Sequence, residues 1–257
     1  MNSKLIHSSH DSVANLIARF LKSQGVQRVY GLCGGHIMPI WMALDAQGIR
    51  IIDVRDERAA VYMAHAEADL TGTLGVALVT AGPGVTNAMT GIANAHVSRA
   101  SVLVISGTPP MAQEHRGALQ DMVHTELVAS ITRMARTVRH PALALATLNE
   151  ATCRAYGQGN EPGPVYIDFP VDVLRSVPPA AVLLTEHFKR ITGPVTLPVP
   201  SDIDAAVALL WQAKRPLFIS GRGAKAASAP LQQLLTMLGA AYLDTSESRG
   251  LVPPDHP

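Results

Sequence analysis

Glu57 stands where a carboxyl group can do chemistry. The apolar run Ile51-Ile52-Asp53-Val54 reads as a short buried strand, and Arg55-Asp56-Glu57-Arg58-Ala59-Ala60 opens an alanine-rich helix. That junction lies at the carboxyl edge of a parallel sheet, where open α/β sheets bind ligands. A carboxyl group held there can exchange a proton with a bound molecule. The plainer reading is a helix-start carboxylate favoured by the helix dipole. A second strand end follows at Val79-Thr80-Ala81-Gly82-Pro83-Gly84-Val85-Thr86-Asn87. Its glycines and proline make a tight turn into a helix start that can receive an anion or a polar ring. A third loop, Gly31-Leu32-Cys33-Gly34-Gly35-His36, brings backbone close to a ligand and supplies an imidazole able to relay protons. Gln120, within Gly117-Ala118-Leu119-Gln120-Asp121, is a fourth polar candidate. His115, Arg116 and His124 around it fit no metal spacing and read as solvated or interface residues.

The elements that must position these groups alternate between helix and strand. Asp11 can cap a helix carrying Val13, Leu16, Ile17, Phe20 and Leu21, with Gly25 ending it. Strands are expected over 29–32, 51–54, 75–80, 102–106 and 165–169, with helices over 38–46, 57–70 and 85–97. Strands spaced by helices of this length imply an α/β fold, a doubly wound, mainly parallel sheet covered on both faces. Residues 1–177 form that domain. Prolines 178, 179, 194, 198 and 200 mark 178–200 as a linker. A partial second α/β domain follows over 201–257, with Ser201-Asp202 as a helix cap, a helix to Gln212, strand 216–220, helix 231–238 and strand 241–243. Two strands and two helices are half of an open-sheet domain, so a strand edge and an apolar face should be exposed.

The 257 residues suffice for a sizeable core. A net charge of +1 and 4% aromatic residues give no electrostatic or stacking case for nucleic acid or an acidic membrane. No apolar run approaches the roughly 18 residues of a membrane span, and the start shows no signal-peptide core. Cys33 and Cys153 form no metal or disulfide framework and suit a reducing, cytoplasmic setting.

Together, the segments 55–64 and 79–87 closely resemble the pyrimidine-binding domain of thiamine-diphosphate enzymes of the acetolactate synthase and benzaldehyde lyase group. The resemblance implies that Glu57 contacts the aminopyrimidine of thiamine diphosphate and activates it. The family surroundings are Arg-His-Glu-x-Ala-Ala, and Asp56 departs from that pattern. Thr80, Pro83, Gly84 and Asn87 match the family's Thr-x-Gly-Pro-Gly-x-x-Asn loop, which with Gly34 and Gly35 is implied to pack near the cofactor. His36 falls where benzaldehyde lyase-like members carry an active-site histidine. Gln120 resembles the glutamine of the family's Ala-Phe-Gln-Glu segment, near the reacting substrate. Glu57, His36 and Gln120 are therefore the implied catalytic residues.

The resemblance covers the first half of a typical relative. The diphosphate-binding domain, with its Gly-Asp-Gly signature, has no counterpart in the sequence. Magnesium and the diphosphate are thus expected on a second polypeptide, with this chain self-associating and sharing the cofactor across an interface. The expected activity is that of a split carbon–carbon lyase, synthase or decarboxylase acting on 2-keto acids, 2-hydroxy ketones or diketones. The alternative is a non-catalytic half-enzyme remnant that pairs with full-length relatives. Gly221-Arg222-Gly223-Ala224-Lys225-Ala226, followed by Asp244, mimics a dinucleotide fingerprint. FAD or an adenine nucleotide is one reading of it, and strand-to-helix packing by the glycines is the other. Calorimetric titration of the isolated chain with thiamine diphosphate and magnesium is expected to show no tight binding; tight, magnesium-dependent heat would contradict the shared-cofactor reading.

Overall fold

A computed structural model describes residues 12–180, 182 and 189–256. The chain divides into two units, one ending at Pro194 and the other beginning at Val195.

The first unit is built on six strands in the order β2-β1-β3-β4-β6-β5. These are β1 (Arg28–Gly31), β2 (Arg50–Asp53), β3 (Gly75–Val79), β4 (Val102–Thr108), β5 (Met134–Thr137) and β6 (Val165–Pro170). Every pairing is parallel. The helices are α1 (Val13–Ser23), α2 (Met38–Ala46), α3 (Glu57–Thr71), α4 (Pro83–Val97), α5 (His124–Val128), α6 (Ala144–Ala155) and α7 (Val171–Arg175).

Period-two alternation divides the strand residues between two cores. Val76, Leu78, Leu103, Ile105, Ile167 and Phe169 belong to one cluster, with Leu16, Phe20, Ile40, Leu44 and Leu148. Ala77, Val79, Val102, Val104 and Tyr166 belong to the other, with Ala60, Val61, Ala64, Val85 and Ile92. The sheet is therefore wound on both faces, as the strand and helix spacing requires. The second face is packed largely with small residues. A Cβ on Gly91 of α4 would lie 2.7 Å from the Cβ of Val61, and one on Gly75 would lie 1.9 Å from the backbone oxygen of Ala64. Helix α3 can thus sit against β3 and α4 only because those glycines are bare.

The chain leaves β1 toward β2 and then returns to place β3 on the opposite side of β1. The loops after β1 and β3 consequently diverge, and a crevice opens between the carboxyl ends of these two strands. The loop carrying Gly34 and His36 borders it on one side, and the turn of Gly82, Pro83 and Gly84 on the other.

Several expectations change in detail. Asp11 lies outside the described residues; Ser12 is the residue that caps α1, its hydroxyl accepting from the Asn15 N–H at 3.3 Å. Strand β5 and helix α6 were not expected. Met134-Ala135-Arg136-Thr137 lacks an apolar run because β5 is a half-exposed edge strand. The buried stripe of α6 consists mostly of Ala144, Thr147, Ala151, Thr152 and Ala155, small residues that carry a weak hydrophobic signal.

In the second unit, β7 (Leu217–Ser220) pairs in parallel with β8 (Ala241–Asp244), accompanied by helices α8 (Pro200–Gln212) and α9 (Ser228–Leu238). Ser201-Asp202 is not a cap: Val199 holds that position and Pro200 starts the helix. Leu217, Ile219 and Leu243, which alternate to one face of the strand pair, are each more than half exposed. The packing role expected of Gly221 and Gly223 does not hold, since a Cβ at Gly221 would meet nothing nearer than 4.0 Å and one at Gly223 would meet open space. A 3-10 segment, Arg222–Ala227, stands between β7 and α9.

Gly75→Ala is expected to destabilise the first unit by about 1–3 kcal/mol or more, because the new methyl meets helix backbone rather than a movable side chain. Gly35→Ala, whose Cβ would enter open space, is the matched control. Urea unfolding midpoints would check the pair.

Candidate functional site

Glu57 is the first residue of α3, at the carboxyl edge beyond β2, and is 5% exposed. The preceding Asp56 is the helix cap. Its carboxylate accepts from the Arg58 N–H at 2.9 Å and pairs with the Arg58 guanidinium at 2.6 Å. These side-chain and backbone hydrogen bonds from Arg58 hold the Asp56 pKa at about 2. The departure from the family's histidine thus has a local reason: an aspartate supplies the helix with its cap.

Glu57 Oε2 accepts from Asn87 Nδ2 at 3.1 Å, which ties the start of α3 to α4. Thr80 stands between the two glycine loops. A Cβ on Gly34 would lie 2.4 Å from Thr80 Oγ1, and one on Gly84 would lie 2.9 Å from Thr80 Cγ2 and 3.4 Å from Glu57 Oε1. Thr80 Oγ1 is buried without a hydrogen-bond partner among the described residues. The structure therefore brings Glu57, Asn87, Thr80, Gly34 and Gly84 together. Pro83 is the exposed first residue of α4, where its missing N–H costs nothing, and Gly82 before it has φ +61°. Gly35 is the exception in this set, because no atom approaches it within 4 Å.

A second group adjoins the first. His36 Nδ1 lies 3.1 Å from Gln120 Oε1, so Nδ1–H donates and Nε2 keeps its lone pair. Burial lowers the His36 pKa below its ordinary value, and the Gln120 hydrogen bond opposes that shift. Gln120 has φ +62°, and its Cβ lies 2.8 Å from where a Gly82 Cβ would be. Gly107 of β4 was not singled out from the sequence. A Cβ there would lie 2.3 Å from the His36 backbone oxygen, so bare backbone at 107 lets the His36 loop cross the sheet edge.

The reading of the surrounding polar residues needs one correction. His115 is exposed, but His124 is neither solvated nor peripheral: its side chain is 0% exposed. The N–H of Gly82 donates to His124 Nε2 at 2.7 Å, and His124 Nδ1 lies 3.1 Å from Asp168 Oδ2. The hydroxyl of Tyr166 donates to the same carboxylate oxygen at 3.0 Å. Burial and the Asp168 charge push the Tyr166 hydroxyl pKa well above its ordinary value. The available signal was Asp168 itself, a charge inside the otherwise apolar run Val165-Tyr166-Ile167-Asp168-Phe169.

The family profile described as thiamine pyrophosphate enzyme, N-terminal TPP binding domain, matches residues 11–128, and the profile for the central domain of the same enzymes matches residues 203–257. This chain belongs to the thiamine pyrophosphate enzyme family. Within the family it is similar to 2-hydroxyacyl-CoA lyase 2 of Mus musculus, at 34% identity over 94% of this chain and 43% of the relative. The corresponding protein of Homo sapiens is 32% identical over the same shares. The acetolactate synthase large subunit of Mycobacterium tuberculosis is 34% identical over 94% of this chain and 44% of its own length. The chain thus spans less than half of the curated relatives it matches. Among these thiamine pyrophosphate enzymes the match includes both units, and the crevice loops all fall within the N-terminal profile.

The lowered His36 pKa has a measurable sign. His36 should titrate below 6.5, so its stability contribution is complete above that value and is lost as pH falls through the depressed folded value. Gln120→Leu should lower the midpoint further by removing the bond that raises it. Proton NMR of the imidazole across pH would check both.

Proposed function

We propose that this chain supplies the aminopyrimidine side of a thiamine-diphosphate site, with Glu57 as the activating carboxyl group. The observation that carries the reading is the meeting, in the crevice between β1 and β3, of buried Glu57 with Asn87 and the unsatisfied Thr80 hydroxyl. Bare backbone at Gly34 and Gly84 lets Thr80 and Glu57 pack close against the two loops, and among the described residues the buried Thr80 oxygen has no hydrogen-bond partner. Thiamine diphosphate, when bound, supplies a nucleophilic carbon that can add to a carbonyl group.

The residues of the chain divide the remaining work. Asn87 occupies Oε2 of Glu57, which directs Oε1 toward Gly84 and the groove. With the cofactor bound, Glu57 would be the group positioned to share a proton with a ring nitrogen, and its burial would exclude competing water. Thr80, Pro83 and Gly84 shape the wall around it. His36, its Nδ1 engaged by Gln120, presents Nε2 to take up or return a proton at a substrate hydroxyl. This assignment suits cleavage or formation of a carbon–carbon bond next to a hydroxyl or keto group. The names of the similar lyases and synthases support the same reaction class, and the substrates we propose are 2-keto acids, 2-hydroxy ketones or diketones.

We place the diphosphate and its magnesium on a second polypeptide carrying the remainder of the fold. The two-strand second unit, with Leu217, Ile219 and Leu243 exposed, offers that remainder an apolar face to cover.

Glu57→Gln tests the proposal because the amide cannot exchange a proton. With the complementing polypeptide present, exchange of the thiazolium proton with deuterium should fall roughly 100-fold to 10,000-fold while the fold is retained. Unchanged exchange would remove Glu57 from the chemistry and favour a non-catalytic partner subunit.

A further inference from the structure

The buried His124 network does something that the cofactor groove alone does not account for. We infer that His124 is a positioning residue, a neutral imidazole protonated at Nδ1, which pins the turn carrying Gly82 to the end of β6 and so sets the groove around Glu57. The consequence for turnover rests on the thiamine-diphosphate reading above; the protonation state does not.

Hydrogen-bond polarity fixes the tautomer. A backbone N–H can only donate, so the 2.7 Å contact from Gly82 requires a lone pair on His124 Nε2. A neutral ring must then carry its proton at Nδ1, where Asp168 Oδ2 accepts it at 3.1 Å. Tyr166 donates to the same oxygen, so the carboxylate is oriented from two sides. The His124 and Asp168 side chains are both buried, so leaving either without its partner is costly.

The pinned residue is well placed to affect the groove. Gly82 is the cap of α4, has no side chain with which to bond, and adopts φ +61° and ψ −116°. Its free N–H goes to His124 rather than to the helix. It packs against Gln120, the partner of His36, and two residues later Gly84 lies against Thr80 and Glu57. One hydrogen bond at Gly82 therefore steadies both polar groups of the site. Protonation of Nε2 would set one N–H against another and release the turn. The titratable or charged groups that face His124 are Asp168 and Tyr166 on β6 and His36 across the loop. A cavity of about 180 Å³ beside it is lined by Glu114, His115, Asp121, Glu126 and Arg139.

The test has two arms. In the ¹⁵N-labelled full chain, long-range proton–nitrogen spectra should show His124 as the Nδ1–H tautomer. His124→Leu should raise the hydrogen-exchange rate of the Gly82 amide at least about tenfold, while His124→Gln, whose carbonyl can accept that N–H, should restore most of the protection. In the assembled enzyme, thiazolium-proton exchange at saturating cofactor should fall about 10-fold to 100-fold in His124→Leu and recover in His124→Gln. A space-filling role predicts the opposite ranking, because leucine fills the apolar volume and glutamine does not. An Nε2–H or doubly protonated His124, or a leucine variant as active and as protected as wild type, would overturn the inference. If the tautomer and amide results hold while the wild-type assembly exchanges no thiazolium proton, the positioning geometry stands and the thiamine reading fails.

Discussion

A carboxyl group buried among alanines, valines and glycines is the constraint around which the first unit is arranged. Removing a carboxylate from water is expensive unless something satisfies it. Among the described residues, Asn87 is the one side chain that donates to Glu57, and no lysine or arginine pairs with it. The structure makes the burial feasible by holding the group at the first turn of α3, where the helix dipole favours negative charge. Asp56 and Arg58 fix that turn from outside, and the glycines of β3 and α4 let the alanine face of α3 come close. A partly satisfied carboxyl group in a shaped crevice is an arrangement suited to a ligand that completes it.

The glycines divide by what surrounds them. Gly31, Gly75, Gly91 and Gly107 are bare because backbone or a rigid side chain passes within contact of each. Gly34 and Gly84 are bare beside Thr80, in the groove itself. Gly82 combines a left-handed φ with a donated N–H, and so joins backbone conformation to the His124 network. The crevice is thus shaped mainly by main chain held at fixed separations, with a few polar side chains set into it.

Much of this was legible in the sequence. Helix Met38–Ala46 lies where its apolar residues place it, and five of the six strands fall within a residue or two of the apolar runs that announce them. Glu57, Thr80, Gly84 and Asn87 carry local signatures, because each sits at a strand end or helix start with a distinctive composition. What escaped notice had weak local signals. Edge strand β5 includes Arg136, and α6 buries alanine and threonine, so neither shows a strong hydrophobic period. His124 was misread because its partners are distant in sequence: Gly82 lies 42 residues before it and Asp168 lies 44 after it. Nothing within a short window distinguishes such a histidine from a solvated one.

The strand order also carries a kinetic consequence. β6 inserts between β4 and β5, so β5 has no neighbour until β6 arrives, although it precedes β6 in the chain. Strands β2, β1, β3 and β4 can assemble as soon as they emerge, before β5 and β6 are available. The pairing of β4 with β6 joins Leu103 to Val165 and closes the longest loop between neighbouring strands of this sheet. Asp168 arrives with that strand, and with it the anchor for His124 and Gly82. During synthesis, the crevice between β1 and β3 is therefore outlined early and locked last. The interval between those events is when the open edge of β4 is most vulnerable to pairing with the wrong chain.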